Sequence, residues 1–344
     1  MTNDQHQPPN IPAGDIPQPG ASRPRTRRTP ATSRDIPRRS RTADDLLAIS
    51  WRLEPRDYVI AHLLAEHRYL TTDQIAAVLF TSPRTCRNRL NTLRNMGFID
   101  WFMPVRAGRG RQPVHWVPGR LSTRYVALYH GEPAPSPRAM REQRDSYPTE
   151  ATKIGHLDHH DGVNQFFIDL LVHTRSHPDS QLARWWPAGR TYQKVNHNTR
   201  PDAHGVWREG DREVAFFLEH DTGTEDHTVR AAKLTGYLTL RNNSMPWPVL
   251  FWLPTTAIET NLHRHLARGT HGVLVATAGR DRAAQHGGPA GPVWKVVGNG
   301  RRRLRLSELP GPVGPSGIAY HPDPPEPDED PLYLLHDHPG RTLT

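Results

Sequence analysis

Cysteine is nearly missing from this chain: Cys86 is the only one in 344 residues. A single thiol forms no internal disulfide and excludes zinc sites built on two or four thiolates. Lysine is scarce too. It occurs only at 153, 194, 233 and 295, so arginine carries nearly all the positive charge and each retained lysine invites a question. No apolar run approaches the ~18 residues of a membrane-spanning helix, and the N-terminus lacks the apolar segment of a secretory signal. No membrane association is expected, and the chain reads as cytoplasmic. Gly-rich phosphate loops are also missing: "GRGRQ" has no Walker lysine and "GGPAGP" is interrupted by proline.

Apolar content is low, at 35%, and 34 prolines concentrate toward the two ends, so much of the deficit falls in segments that do not build a core. At this length the chain accommodates two domains. A net charge of +9 favours a polyanionic partner, and nucleic acid is the default polyanion inside cells. The clearest concentration is "RPRTRRTPATSRDIPRRSRT" (23–42), with eight arginines against one acid. Residues 1–45 are therefore read as a disordered basic arm suited to phosphate contact.

Over 46–130 a helical period takes hold. Tyr58, Ile60, Leu63 and Leu64 share one broad face, and "TTDQIAAVLF" follows, with Thr71 or Thr72 placed to cap it. In "SPRTCRNRLNTLRNMGF", Ser82 sits as N-cap, Pro83 opens the helix and Gly97 stops it. Cys86, Leu90 and Leu93 then face a core, leaving Arg84, Arg87, Asn88 and Asn91 on the opposite side. Two short strands around "FIDWFMPV" and "PVHWV" are joined by "RAGRGRQ", a hairpin tip carrying Arg106, Arg109 and Arg111. Three helices and a basic-tipped hairpin make the winged helix-turn-helix plan, whose third helix reads the major groove of double-stranded DNA.

Residues 131–154 lose periodicity and gain proline, as a linker does. From 155 to 310 the pattern runs α-β-β-β-α-β-α-β, which implies a mixed sheet flanked by helices. Its first helix is expected to start near Asp161. The cluster "HLDHHD" (156–161) ahead of it lacks the helical His pair with Glu of a zinc protease, though Asp158 or Asp161 could feed a neighbouring site. The acidic, Pro-rich tail, 311–344, is expected to be unfolded.

Two carboxylates stand out in the second part. Asp202 opens one strand, Glu219 closes the next, and the short hairpin "REGDRE" between them brings both to one end of the sheet. Converging carboxylates make a hard oxygen site suited to Mg²⁺ or Mn²⁺, a cation that activates water and steadies phosphodiester charge. "RPDA" with Glu219 resembles the PD-(D/E)xK nuclease superfamily, of restriction-endonuclease-like fold. The winged helix in front, together with "FFLEHDTGTEDHTVRAAKLTGY", looks like the replication-relaxation proteins of plasmids and mobile elements.

That resemblance implies an α/β fold, α+β overall: a winged helix followed by a mixed-sheet nuclease-like domain, with disordered tails. It also implies Asp202 and Glu219 as metal ligands and Asp221 as a third carboxylate. The superfamily's lysine should stand two residues after the glutamate, where this chain has Asp221. Lys233 is the substitute, two turns into a helix begun by Thr222 and Glu225, with Tyr237 one turn further on the same face. Three functions stay open. The first is a Mg²⁺-dependent DNA endonuclease of plasmid replication or relaxation, working with replication or transfer proteins. The second is a non-enzymatic DNA-binding regulator with a degenerate nuclease fold, and the third a protein-binding adaptor.

Overall fold

The computed structural model describes residues 46–104, 112–151, 155–195, 199–223, 227–242, 245–267, 269–270, 272–299, 302–311 and 330–336. The basic arm, the wing tip with Arg106, Arg109 and Arg111, and Glu225 lie outside them. The first half is mainly helical. It comprises α1 (Leu46–Ser50), α2 (Pro55–His67), β1 (Leu70–Thr71), α3 (Thr72–Leu79), α4 (Pro83–Met96), β2 (Ile99–Phe102), β3 (His115–Pro118), α5 (Arg120–Tyr129) and α6 (Pro137–Ala151).

Local chemistry explains these boundaries. At the start of α3 the Gln74 amide donates to Thr71 Oγ1 (3.2 Å) and the Thr71 amide to Gln74 Oε1 (3.0 Å), a capping box. Pro83 opens α4, where a missing N–H costs nothing; Ser82 stands at the N-cap without a side-chain bond. Gly97 ends α4 at φ 81°, in the left-handed region. Cys86, Leu90 and Leu93 are fully buried, and β1, β3 and β2 form a small antiparallel sheet.

The second half is a mixed six-stranded sheet between helices. It comprises α7 (His156–Thr174), β4 (Ser180–Pro187), α8 (Ala188–Lys194), β5 (Ala203–Glu209), β6 (Arg212–His220), α9 (His227–Asn242), β7 (Val249–Leu253), α10 (Thr256–Leu266), β8 (Val275–Gly279), α11 (Arg280–Ala283) and β9 (Lys295–Val296). The strands lie in chain order, with β6, β7 and β8 parallel and the other pairings antiparallel. Two residues, Gly210 at φ 62° and Asp211, close the β5–β6 hairpin. One face of the sheet buries Phe166 and Phe167 of α7 against Trp185 and Phe216; the other buries Leu234, Tyr237 and Leu262 against Phe217 and Phe251. β7 is buried along its whole length, as a central parallel strand covered on both faces should be.

Three expectations need correcting. The stretch read as a linker holds α6, because Tyr147, 2% exposed, anchors it among Tyr69, Phe102, Val117 and Leu157. α7 starts at His156 rather than near Asp161. Asp161 lies inside the helix, where its Oδ2 accepts from His115 Nε2 at 2.9 Å instead of capping an end. Part of the acidic tail is also folded: residues 330–336 include α12 (Tyr333–His336) and the buried Leu332, while Asp330 Oδ2 accepts the Trp185 amide at 3.0 Å. Trp185 belongs to the edge strand β4, whose outer donors need a partner.

Candidate functional site

The antiparallel register Ala203↔Leu218, carried one step outward, sets Asp202 opposite Glu219. Asp202 is locked in place there. Its own amide donates to Leu218 O (3.1 Å), its Oδ2 accepts the His220 amide (2.8 Å), and its Oδ1 accepts from His159 Nε2 (3.1 Å). Glu219 faces α9. Lys233 Nζ donates to its Oε2 at 2.8 Å and the Tyr237 hydroxyl to its Oε1 at 2.5 Å.

The structure thus brings together Asp202, Glu219 and Lys233, three of the four candidate catalytic residues. Asp221 is buried two residues on, where its Oδ1 accepts the Gly223 amide (2.5 Å) in the turn that ends β6. His159 is a member that sequence reasoning missed. "HLDHHD" flagged its neighbourhood, but only the helix phase shows that His159 turns to Asp202 while His160 donates to His67 O at 2.9 Å. Tyr237 was visible as one turn beyond Lys233, without its bond to Glu219.

Burial sets the electrostatics. The Glu219 side chain is 5% exposed, and desolvation, with the charge of Asp202 beside it, pushes its carboxyl up to about 7 against the pull of Lys233. Burial and the same carboxylate hold the Tyr237 phenol well above its ordinary value, so it stays a donor. Burial works against the His159 imidazolium, yet the bond to Asp202 raises its pKa overall.

Hard carboxylate oxygens from adjacent strands are the donor type that Mg²⁺ or Mn²⁺ takes, and each oxygen that already accepts one bond keeps a second lone pair. Among the described residues no group of three or more His, Cys, Asp or Glu side chains forms a cage. Asp202 and Glu219 would therefore supply two ligands, with water completing the shell, as is usual for Mg²⁺.

The candidate DNA-facing residues on α4 are all exposed: Arg84, Arg87, Asn88 and Asn91. Arg89, on the same helix, is instead committed to the protein, donating from Nε to Asp57 Oδ1 at 3.0 Å and pairing with Glu54 at 3.0 Å. No helix among the described residues is long and apolar enough to cross a membrane.

No curated protein and no solved structure matches the chain. A family model described as replication-relaxation matches residues 62–250, more than half of the sequence, and that span contains α3, α4, the β2–β3 pair and the whole Asp202–Glu219–Lys233 cluster.

Proposed function

The chain belongs to the replication-relaxation family, and from that premise we propose that it binds duplex DNA through α4, as a winged helix, and hydrolyses a phosphodiester with the Asp202–Glu219–Lys233 cluster. One observation carries the reading. Lys233 reaches Glu219 at 2.8 Å from the following helix, filling the role of a strand lysine that this chain lacks. A buried Glu219 held by one ammonium beside a second, part-buried carboxylate, Asp202, costs more than structure alone needs, and it suits a site that handles phosphate charge.

Asp202 and Glu219 would hold Mg²⁺ or Mn²⁺, which when bound lowers the pKa of its water and offsets negative charge on the phosphodiester. His159 and the His220 amide orient Asp202 by fixing both of its oxygens. Tyr237 fixes one oxygen of Glu219 and leaves Lys233, at 31% the most exposed of the three, to reach the scissile phosphate. A second reading, DNA binding without chemistry, draws support from the same bonds, since Lys233 and Tyr237 already occupy both oxygens of Glu219.

Incubation of supercoiled plasmid with the protein and Mg²⁺ or Mn²⁺ separates the two. Nicking or relaxation that falls about 10²-fold or more in Asp202→Ala, Glu219→Ala and Lys233→Ala supports hydrolysis. Activity unchanged in these variants removes the site assignment. Binding of duplex with neither cleavage nor calorimetric metal uptake leaves only the non-enzymatic reading.

A further inference from the structure

A cavity of about 420 Å³ opens beside the cluster, between α7, the carboxyl ends of β6 and β7, and α11. His220, which helps line it, lies 5.5 Å ring to ring from His159, the partner of Asp202, so the cavity and the cluster are neighbours. Its place is the end of a sheet where open α/β folds bind ligands. The volume falls in the range of small-molecule sites.

Its polar groups are uneven in a telling way. Arg280 is pinned by one nitrogen: Nη1 donates to Asp221 O (2.7 Å), Trp252 O (3.2 Å) and His220 Nε2 (2.9 Å). Among the described residues its Nη2 and Nε make no such bond. His220 Nε2 accepts from Arg280, so the ring holds the guanidinium in place, and its Nδ1 is too buried to meet a ligand. His220 itself is 5% exposed and packs against α7 at Gly162, where a Cβ would come within 2.2 Å of the ring. The α7 wall offers the opposite charge. Asp169 is half-buried and receives one bond, from Gln165 Nε2 at 2.7 Å, and burial pushes its carboxyl above the usual range.

A cavity with idle donors on one wall and an under-served carboxylate on another selects a ligand with the reverse layout. Guanine has it: O6 and N7 accept side by side, and the adjoining N1–H and 2-amino group donate side by side. Arginine is the commonest partner of O6 and N7, and a carboxylate accepts the two N–H groups together. Adenine turns an amino group toward the arginine, and hypoxanthine lacks the 2-amino group.

We propose that this cavity takes an unpaired guanine, with Nε and Nη2 of Arg280 at O6 and N7 and Asp169 at N1–H and the 2-amino group. The base comes either from a free nucleotide or from a DNA strand unstacked next to the Asp202–Glu219 cluster. The second source rests on the DNA reading above; base binding itself needs no cleavage. Extruding a base costs unstacking energy, so an already single-stranded guanine binds better than a paired one.

Calorimetry in EDTA on the full chain tests this. The probes are GMP, IMP and AMP, a single-stranded oligonucleotide with one guanine, the same oligonucleotide with hypoxanthine or adenine there, and the paired duplex. Guanine should win by tenfold or more over hypoxanthine and adenine in at least one format. The isosteric Asp169→Asn should erase that margin while leaving the melting temperature close to wild type. A margin seen with GMP assigns the free nucleotide; one seen only in the single strand assigns DNA. Equal affinity for all three bases, or a guanine preference that survives Asp169→Asn, overturns the proposal. A guanine margin without cleavage under any metal sinks the hydrolase reading alone, and cleavage without a guanine margin sinks this one alone.

Discussion

Glu219 carries its carboxylate between an ammonium and a phenol with almost no water at hand. Removing Lys233 leaves that charge buried beside Asp202, and an uncompensated buried charge costs more than the intact pair returns. Lys233→Met should destabilise the protein by about 1–3 kcal/mol near pH 8, below the usual cost for a buried pair because Lys233 is partly exposed. The double variant Glu219→Gln with Lys233→Met should recover most of the loss. Denaturant melts of the two singles and the double form the cycle. Additive losses would mean that the two side chains are not coupled. Asp202 and Glu219 were legible from residue type and spacing, and Lys233 only through the family resemblance. His159 was not, because three histidines within five positions look alike until a helix phase assigns one of them to Asp202.

The helix α4 combines two kinds of arginine, and its pattern foretold only part of the division between them. Arg84 and Arg87 lie on the exposed face, so Arg84→Ala and Arg87→Ala should each weaken duplex binding and lower the slope of log affinity against log salt by about 1. Stability should hardly change. Arg89→Ala should do the reverse: Asp57 is fully buried, and losing its cation should cost about 2–4 kcal/mol by denaturant melting. Fluorescence anisotropy across a salt series separates the two classes. Unchanged affinity and slope in both Arg84→Ala and Arg87→Ala would remove α4 as the DNA reader. The period-3.6 pattern was enough to find α4, because Cys86, Leu90 and Leu93 share one face and Gly97 stops the chain cleanly. It missed α6, which one aromatic anchor, Tyr147, holds through contacts distant in sequence.

Across the whole folded unit, α7 joins the helical half to the sheet. Its Asn164 donates to Tyr69 O (3.1 Å), the Gln74 side chain donates to Asp161 O (3.0 Å), and Arg190 pairs with Glu66 at 2.5 Å. Within this interface burial, above all, holds His160 down to about pKa 4, and His67 is lowered well below its ordinary value as well. The unfolded chain takes up both protons once the pH drops through about 6.5, whereas folded His160 does so only near 4 and folded His67 well below 6.5, so the contribution of these two residues is flat above 6.5 and is lost as the pH falls below it. His160→Gln, which can still donate to His67 O, should flatten part of that fall, by on the order of 1 kcal/mol at pH 5, since the residue keeps some exposure to solvent. Urea melts at pH 5 and pH 7.5 give the comparison; an unchanged acid slope would exclude His160 as a contributor. By itself the amino-acid order determined the main alternation of helices and strands, the Thr71 cap, the tight β5–β6 turn and the two acids that the hairpin sets side by side, because each depends on local spacing and backbone preference. Tertiary structure decided that Lys233 comes from the helix to meet Glu219, that His159 serves Asp202, that α7 ties both halves together and that a stretch of acidic tail covers an edge strand. Those contacts join residues far apart in sequence, and only burial and the pairing of otherwise orphaned polar groups select them.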